Sequence, residues 1–350
     1  VTAVPVRASE WRTVTAPLEL AFPRDHGAHL DHRTEWWYLT GTLAAADGRR
    51  VGVQLTFFRR GIDPAATAIP EQGLAAAQVL AAHLALADER SGRFLFAERA
   101  RRAAAGLAGC ATDDLSVWVE DWRLERRADG TLAARAADGA RAIAVELELA
   151  PAGPLVLHGE GGVSTKGPEP GNASAYLTWP RLRAAGRVSL GGAELSVRGE
   201  AWLDHEWGTS QLGAGVAGWD WLGVRLADGR SLMAFRLRRA DGSADPFSAG
   251  TLVAADGAAR RLAAADLVIE PAGEWRSPAD GAAYPARLRV RVPSAGLDLE
   301  VRPWLAGAEI DASASTGVVY WEGPVDVAGS AAGAGYLELT GYAGSLAGRF

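Results

Sequence analysis

The sequence predicts an all-β fold of antiparallel meanders, built as two similar units. Three observations carry this. Seven Asp-Gly pairs, at Asp47, Asp129, Asp138, Asp228, Asp241, Asp256 and Asp280, punctuate the chain. Asp-Gly between alternating apolar runs is a strong hairpin signal, because a two-residue type I′ turn needs positive φ at both central positions. Between these pairs, apolar and polar residues alternate, as in 115–124, 143–149, 195–203, 288–292, 297–301 and 336–340. Alternation sends one set of side chains to each face of a strand. Third, the chain echoes itself. Trp-rich segments precede Ala-Asp-Gly-Arg at both 46–49 and 227–230, and each turn is followed by a strand rich in Phe and Arg. A second hairpin type recurs at 176–200 and 320–341. Self-similarity on this scale indicates two copies of one β-unit. The Gly-rich stretch 208–218 marks the change, giving units at 1–212, with an N-terminal extension, and 213–350.

Each element follows from local chemistry. The hairpin around Asp47 has flanks 36–43 and 51–58, and that around Asp228 has flanks 219–226 and 231–237. The apolar run 73–87 reads as a strand or a short helix. Units of this kind remove their edges by closing into barrels or packing as sandwiches. A barrel of about eight strands holds one small ligand.

Composition narrows the function. The 350 residues are 48% hydrophobic and 22% charged, which suits folded domains rather than disorder. A net charge of -6 argues against nucleic acid as a partner. A single cysteine, Cys110, excludes an internal disulfide and any Cys-rich metal or cluster site. Lys166 is the only lysine among 36 basic residues. It sits in Ser-Thr-Lys-Gly-Pro without a surrounding motif, so neither a phosphate loop nor a Schiff-base lysine is expected. No apolar run is long enough for a spanning helix. The chain starts without Met, and export to the periplasm or the exterior is the expected localisation.

Three clusters are candidates for chemistry. The first, Phe22 to Tyr38, holds His26, His29 and His32 with Asp25, Asp31 and Glu35. Its loop-like character does not force metal-ligand convergence, so no metal is assigned. Glu35 abuts Trp36 and Trp37. A carboxyl in a dry aromatic pocket would have a raised pKa, whereas pairing with an arginine would make it structural. In the second, Gly199 to Gly208, which also holds Glu200, a strand would put Asp204 and Glu206 on one face and His205 with Trp207 on the other. A histidine beside acids builds a proton-transfer site, although the same residues suit a turn. The third is Trp219-Asp220-Trp221. A buried acid with indole walls suits protonation of an alkene and shelter of the cation formed, although tryptophans also plug barrel ends. Nucleophilic hydrolysis has less support: there is no Gly-x-Ser-x-Gly, and Ser210 near His205 lacks an oxyanion feature.

The segments Phe22-Pro-Arg-Asp-His-Gly-Ala-His29, Glu35-Trp-Trp-Tyr-Leu-Thr-Gly41, Ala201-Trp-Leu-Asp-His-Glu-Trp-Gly208 and Tyr320-Trp-Glu-Gly-Pro-Val325 with Gly335–Tyr342 resemble the AttH-like and carotenoid 1,2-hydratase family. The resemblance runs from about Leu20 to Tyr342. It implies two tandem lipocalin-like antiparallel β-barrels and, from the carotenoid branch, addition of water to an isoprenoid double bond without cofactor. Family members also carry the label of secreted hydrolases. The hydratases' His-x-Trp pair matches His205 and Trp207. Their tyrosine and aspartate have no match in Ser231–Arg238, and Asp220 is the candidate substitute.

The resulting expectation is a hydratase acting on a hydrophobic, isoprenoid or carotenoid-like small molecule, without cofactor. Asp220 is assigned as general acid, with His205, Asp204 and Glu206 handling water. Trp36, Trp37, Tyr38, Trp207, Trp219, Trp221 and Glu35 are assigned to the substrate pocket. Peripheral contact with membrane lipid is an expected accompaniment. The alternatives are a non-catalytic carrier of hydrophobic ligands and a secreted hydrolase.

Overall fold

A computed structural model describes residues 10–64, 77–209 and 212–347. The described chain is all β apart from three single turns of 3-10 helix. Two large antiparallel sheets hold almost every strand. The first has thirteen strands and the second ten. The apolar run that reads as strand or helix is a strand, Gln78–Asp88; residues 73–76 lie outside the described residues.

The two sheets repeat one topology. In the first, the opening strand Thr34–Ala45 pairs with its hairpin partner Arg50–Gly61 on one side and with the closing strand Ala193–Gly208 on the other. In the second, Val216–Leu226 pairs with Ser231–Arg239 and with Gly333–Leu339 in the same way. The closing hairpins also correspond: Ala173–Leu190 with Ala193–Gly208, and Val318–Gly329 with Gly333–Leu339. The duplicated segments of the sequence are therefore equivalent strands.

The first sheet curls until Ala108–Cys110 and Ser116–Val119 come against Gln78–Asp88, nearly closing a barrel. The second curls into a half-barrel. Each sheet wraps its own apolar core. The first is built from residues such as Leu39, Leu55, Leu84, Val117 and Leu203, the second from Leu222, Val224, Val290, Leu299 and Leu337. The interior of the first barrel is thus packed with side chains.

The Asp-Gly turns differ from expectation in type. Gly48, Gly130, Gly229, Gly242 and Gly257 have φ between +78° and +93°, whereas none of the preceding aspartates has positive φ. In each, the glycine N–H donates to the carbonyl three residues back, as Gly48 does to Ala45 at 3.0 Å. This is a type I turn followed by a left-handed glycine, the three-residue hairpin with a G1 bulge. The aspartate serves as an acceptor: Asp47 Oδ1 takes the Arg49 N–H at 2.9 Å, and Asp228 Oδ1 takes that of Arg230 at 3.0 Å.

The sheets meet through their outer faces. A third apolar cluster fills this seam, joining Tyr38, Tyr176 and Trp202 of the first sheet to Trp221, Met233, Phe235 and Tyr336 of the second. Polar bolts cross it as well. His83 Nδ1 lies 2.8 Å from the Tyr320 hydroxyl, His158 Nδ1 2.8 Å from Thr251 Oγ1, and Arg225 donates to Thr42 Oγ1 at 2.9 Å.

Candidate active site in the seam between the sheets

A cavity of about 580 Å³ lies in this seam. Strand alternation decides what enters it. On Thr34–Ala45, Trp36 and Tyr38 face the cavity, while Trp37 and Leu39 face the barrel core. On Ala193–Gly208, Asp204 and Glu206 face the cavity, and His205 and Trp207 point the other way. On Val216–Leu226, Trp219 and Trp221 line it, whereas Asp220 lies on the face that carries Leu222 and Val224 into the second core. Of the residues assigned from sequence, Glu35, Trp36, Tyr38, Asp204, Glu206, Trp219 and Trp221 reach the cavity. Trp37, Trp207, His205 and Asp220 do not line it.

Asp220 is fully buried and ion-paired. Its carboxyl accepts from Arg238 Nε at 3.1 Å, Arg236 at 3.2 Å and the Tyr342 hydroxyl at 2.9 Å. Burial pushes its pKa up, and the two guanidiniums and the phenol oppose that. With its oxygens committed on the core side of the strand, it is misplaced for protonating a ligand in the seam.

His205 belongs to a buried network that anchors the segment 22–33. His29 bridges two acids, with Nε2 3.0 Å from Asp25 and Nδ1 2.9 Å from Glu35. His205 Nε2 meets the same Glu35 oxygen at 2.9 Å. Arg59, itself buried, donates to Glu35 at 2.8 Å, to Gln78 at 2.8 Å and to the carbonyls of His29 and His32 at 2.9 Å. Of the two readings of Glu35, the structure has the pairing with an arginine. Burial alone would raise its pKa, but the Arg59 charge and the bonds from His205 and His29 hold it well below the usual carboxylate range. His29 is pushed up: burial would lower it, and Asp25 and Glu35 outweigh that. Its ring stacks face to face on the Trp207 indole, with ring centres 3.6 Å apart. The ligand atoms of His29, Glu35 and His205 lie within 4.8 Å of one another. Because His29 bonds an acid through each nitrogen and Glu35 already holds a guanidinium, the cluster is wired as an ion-pair network.

The cavity contains groups that the sequence reading passed over. Lys166, dismissed there for want of a motif, brings its ammonium against Glu206 and within 2.9 Å of Ser174 Oγ. Burial drives its pKa down to about 7. Asp204 accepts from the Tyr176 hydroxyl at 2.6 Å, from Trp202 Nε1 at 2.6 Å and from Thr178. Burial nevertheless lifts Asp204 to about 7. From the opposite sheet, Glu338 accepts from the Trp219 indole Nε1 at 2.9 Å and is likewise lifted by burial to about 7. Glu322 beside it is pushed well above the carboxylate range by burial and by the Glu338 charge. At the far end, His83 bonds Tyr320 and, at 2.9 Å, Ser315 Oγ; burial lowers its pKa to about 3, so it is neutral. The available signal for His83 and Glu338 was a lone polar residue within an apolar run of the strand. Ser210, the nucleophile considered from sequence, lies outside the described residues.

The AttH-like family model matches residues 13–342. The chain belongs to the AttH-like family. A solved structure assigned to AttH, from Nitrosomonas europaea, is 36% identical, superposes with a TM-score of 0.85 and covers 95% of this chain and 99% of its own. The crystal structure of kievitone hydratase from Nectria haematococca superposes with a TM-score of 0.69 at 12% identity, covering 95% and 96%. At that identity the likeness is one of fold: this AttH-like protein has an architecture on which a hydratase is built. No curated protein matches the sequence significantly.

Proposed function

We propose that this AttH-like protein is a cofactor-free hydro-lyase that protonates and hydrates a carbon–carbon double bond of an apolar, isoprenoid-like molecule held in the seam cavity. The observation that carries the reading is the pairing of Asp204, an acid lifted to about 7, with the Glu206–Lys166 ion pair two residues along the same strand face. Residues two apart on a strand are about 6.6 Å apart, which leaves room for a substrate carbon and a water between them. Asp204, with the Tyr176 hydroxyl bonded to it, supplies the proton to the alkene. The cation that forms is surrounded by Trp36, Trp219, Trp221 and Phe235, whose ring faces favour positive charge. A water held by Glu206 and Ser174 adds to the cation and passes its proton to the Glu206 carboxylate. Transfer of that proton through Lys166 and solvent restores the acid. The general acid assigned to Asp220 from sequence moves to Asp204, and His205 becomes part of the scaffold.

The test is incubation of the protein with a panel of isoprenoid alkenes in oxygen-18 water, followed by mass spectrometry of the alcohols. Asp204→Asn should lower turnover by roughly 100-fold or more, the usual range for a general acid, with ligand affinity kept. Tight binding of these alkenes with no oxygen-18 in any product would leave the carrier reading standing instead.

A further inference from the structure

In a chain that meets its other basic positions with arginine, the single lysine lies in the seam cavity. If Lys166 only neutralised Glu206, a guanidinium would serve, as Arg59 serves Glu35 and Arg238 serves Asp220. A primary amine differs in one respect: it can release its proton and form a bond through its lone pair. The surroundings supply what such chemistry requires. Nζ stands 5.9 Å from the ring centre of Trp36, 5.6 Å from Tyr176 and 5.8 Å from Phe235, an apolar wall for a hydrophobic ligand. Glu206 and Ser174 contact it as hydrogen-bond acceptors, and Asp204, lifted by burial to about 7, faces the same cavity from the Glu206 strand.

We propose that Lys166 captures carbonyl compounds covalently, its ε-amine condensing with the aldehyde or ketone group of an apolar ligand to give an imine. The nitrogen lone pair forms the C–N bond as the carbonyl π pair moves to oxygen. Asp204 protonates that oxygen, and Glu206 removes a proton from nitrogen. Loss of water then completes the C=N bond, and hydrolysis reverses every step without an oxidant or reductant. Burial of the amine, which lowers its pKa to about 7, supplies the neutral nucleophile at physiological pH. Capture depends on the cavity and the amine, and not on the hydration reading.

The full chain is treated near pH 7 with trans-cinnamaldehyde and sodium cyanoborohydride, which reduces an imine to a stable amine, and the adduct is located by peptide mapping. Because the chain has one lysine, mapping separates this site from the α-amine. Lys166 in the native protein should label roughly 100-fold faster than in the urea-unfolded chain, where an ordinary ammonium of pKa about 10.4 is almost fully protonated. Asp204→Asn should slow native labelling about 10-fold while the amine remains present. Native labelling no faster than in the unfolded chain would overturn the proposal and would show the amine locked in its ion pair. The oxygen-18 experiment reads hydration separately, so either idea can fail alone.

Discussion

At the scale of single residues, the molecule is governed by where charge is allowed to be. Asp204 and Glu338 keep their protons to about pH 7 in the folded chain, against ordinary values of 3.8 and 4.5. Between those limits the folded state binds more protons than the unfolded one, so these groups make stability fall as pH rises toward 7, with no further loss above it. Lys166, lowered from 10.5 to about 7, acts on the other side. From pH 7 to 10.5 the unfolded chain binds the extra proton, so its contribution raises stability with pH. The three together predict a stability minimum near neutrality. Glu338→Gln should flatten the decline between about pH 4.5 and 7, as read from urea midpoints across pH. Asp220 and Glu35 instead each hold a guanidinium, Arg238 and Arg59. Asp220→Asn and Glu35→Gln should each cost about 3 kcal/mol or more in denaturant unfolding, because removing one partner leaves a buried cation uncompensated. An Asp220→Asn protein that kept full stability but lost hydration would return that residue to the chemistry.

At the scale of elements, period-two alternation explains most of the site. A strand cannot send neighbouring residues to the same face, so Trp219-Asp220-Trp221 delivers its indoles to the seam and its acid to the core. The same rule divides Asp204 and Glu206 from His205 and Trp207. Five of the turns share one device, a type I turn with an aspartate acceptor and a left-handed glycine. Gly48 isolates the backbone part of that device, since φ is +78° and no atom lies within 4 Å of where a Cβ would be. Gly48→Ala should therefore cost about 1 kcal/mol through conformation alone, measurable as a shift in urea midpoint. Gly48→Asn should cost less, because Asn tolerates the left-handed region better.

At the scale of the whole molecule, the proposed site lies between two sheets that each have a complete core of their own. The barrel lumen expected to hold a ligand is occupied by packing, and the space appears where two outer faces meet. Contact at this seam is close. A Cβ on Gly52 would stand 2.6 Å from Pro324 Cγ and 2.8 Å from the Tyr336 hydroxyl. Gly52→Val should force the sheets apart, with a loss of about 1–3 kcal/mol in unfolding free energy and weakened binding of apolar fluorescent ligands. Unchanged ligand affinity in that variant would mean that the cavity is insulated from this contact.

The sequence by itself determined the all-β class, the duplicated hairpins and the segments that supply the seam. Turn residues act locally, and alternation is a property of any single strand. It also put Asp204 and Glu206 on one face. It did not reveal that this face, rather than that of His205 and Asp220, borders the cavity. The seam strands are buried on both sides, so the polar-out, apolar-in contrast that normally identifies the inner face is absent. Only the tertiary structure decided which acids share the space. Glu322 and Glu338 reach it from strands more than a hundred residues beyond Asp204, and Lys166 is brought to Glu206 from outside any motif. Such convergence depends on how two sheets dock, and no local period in the chain encodes it.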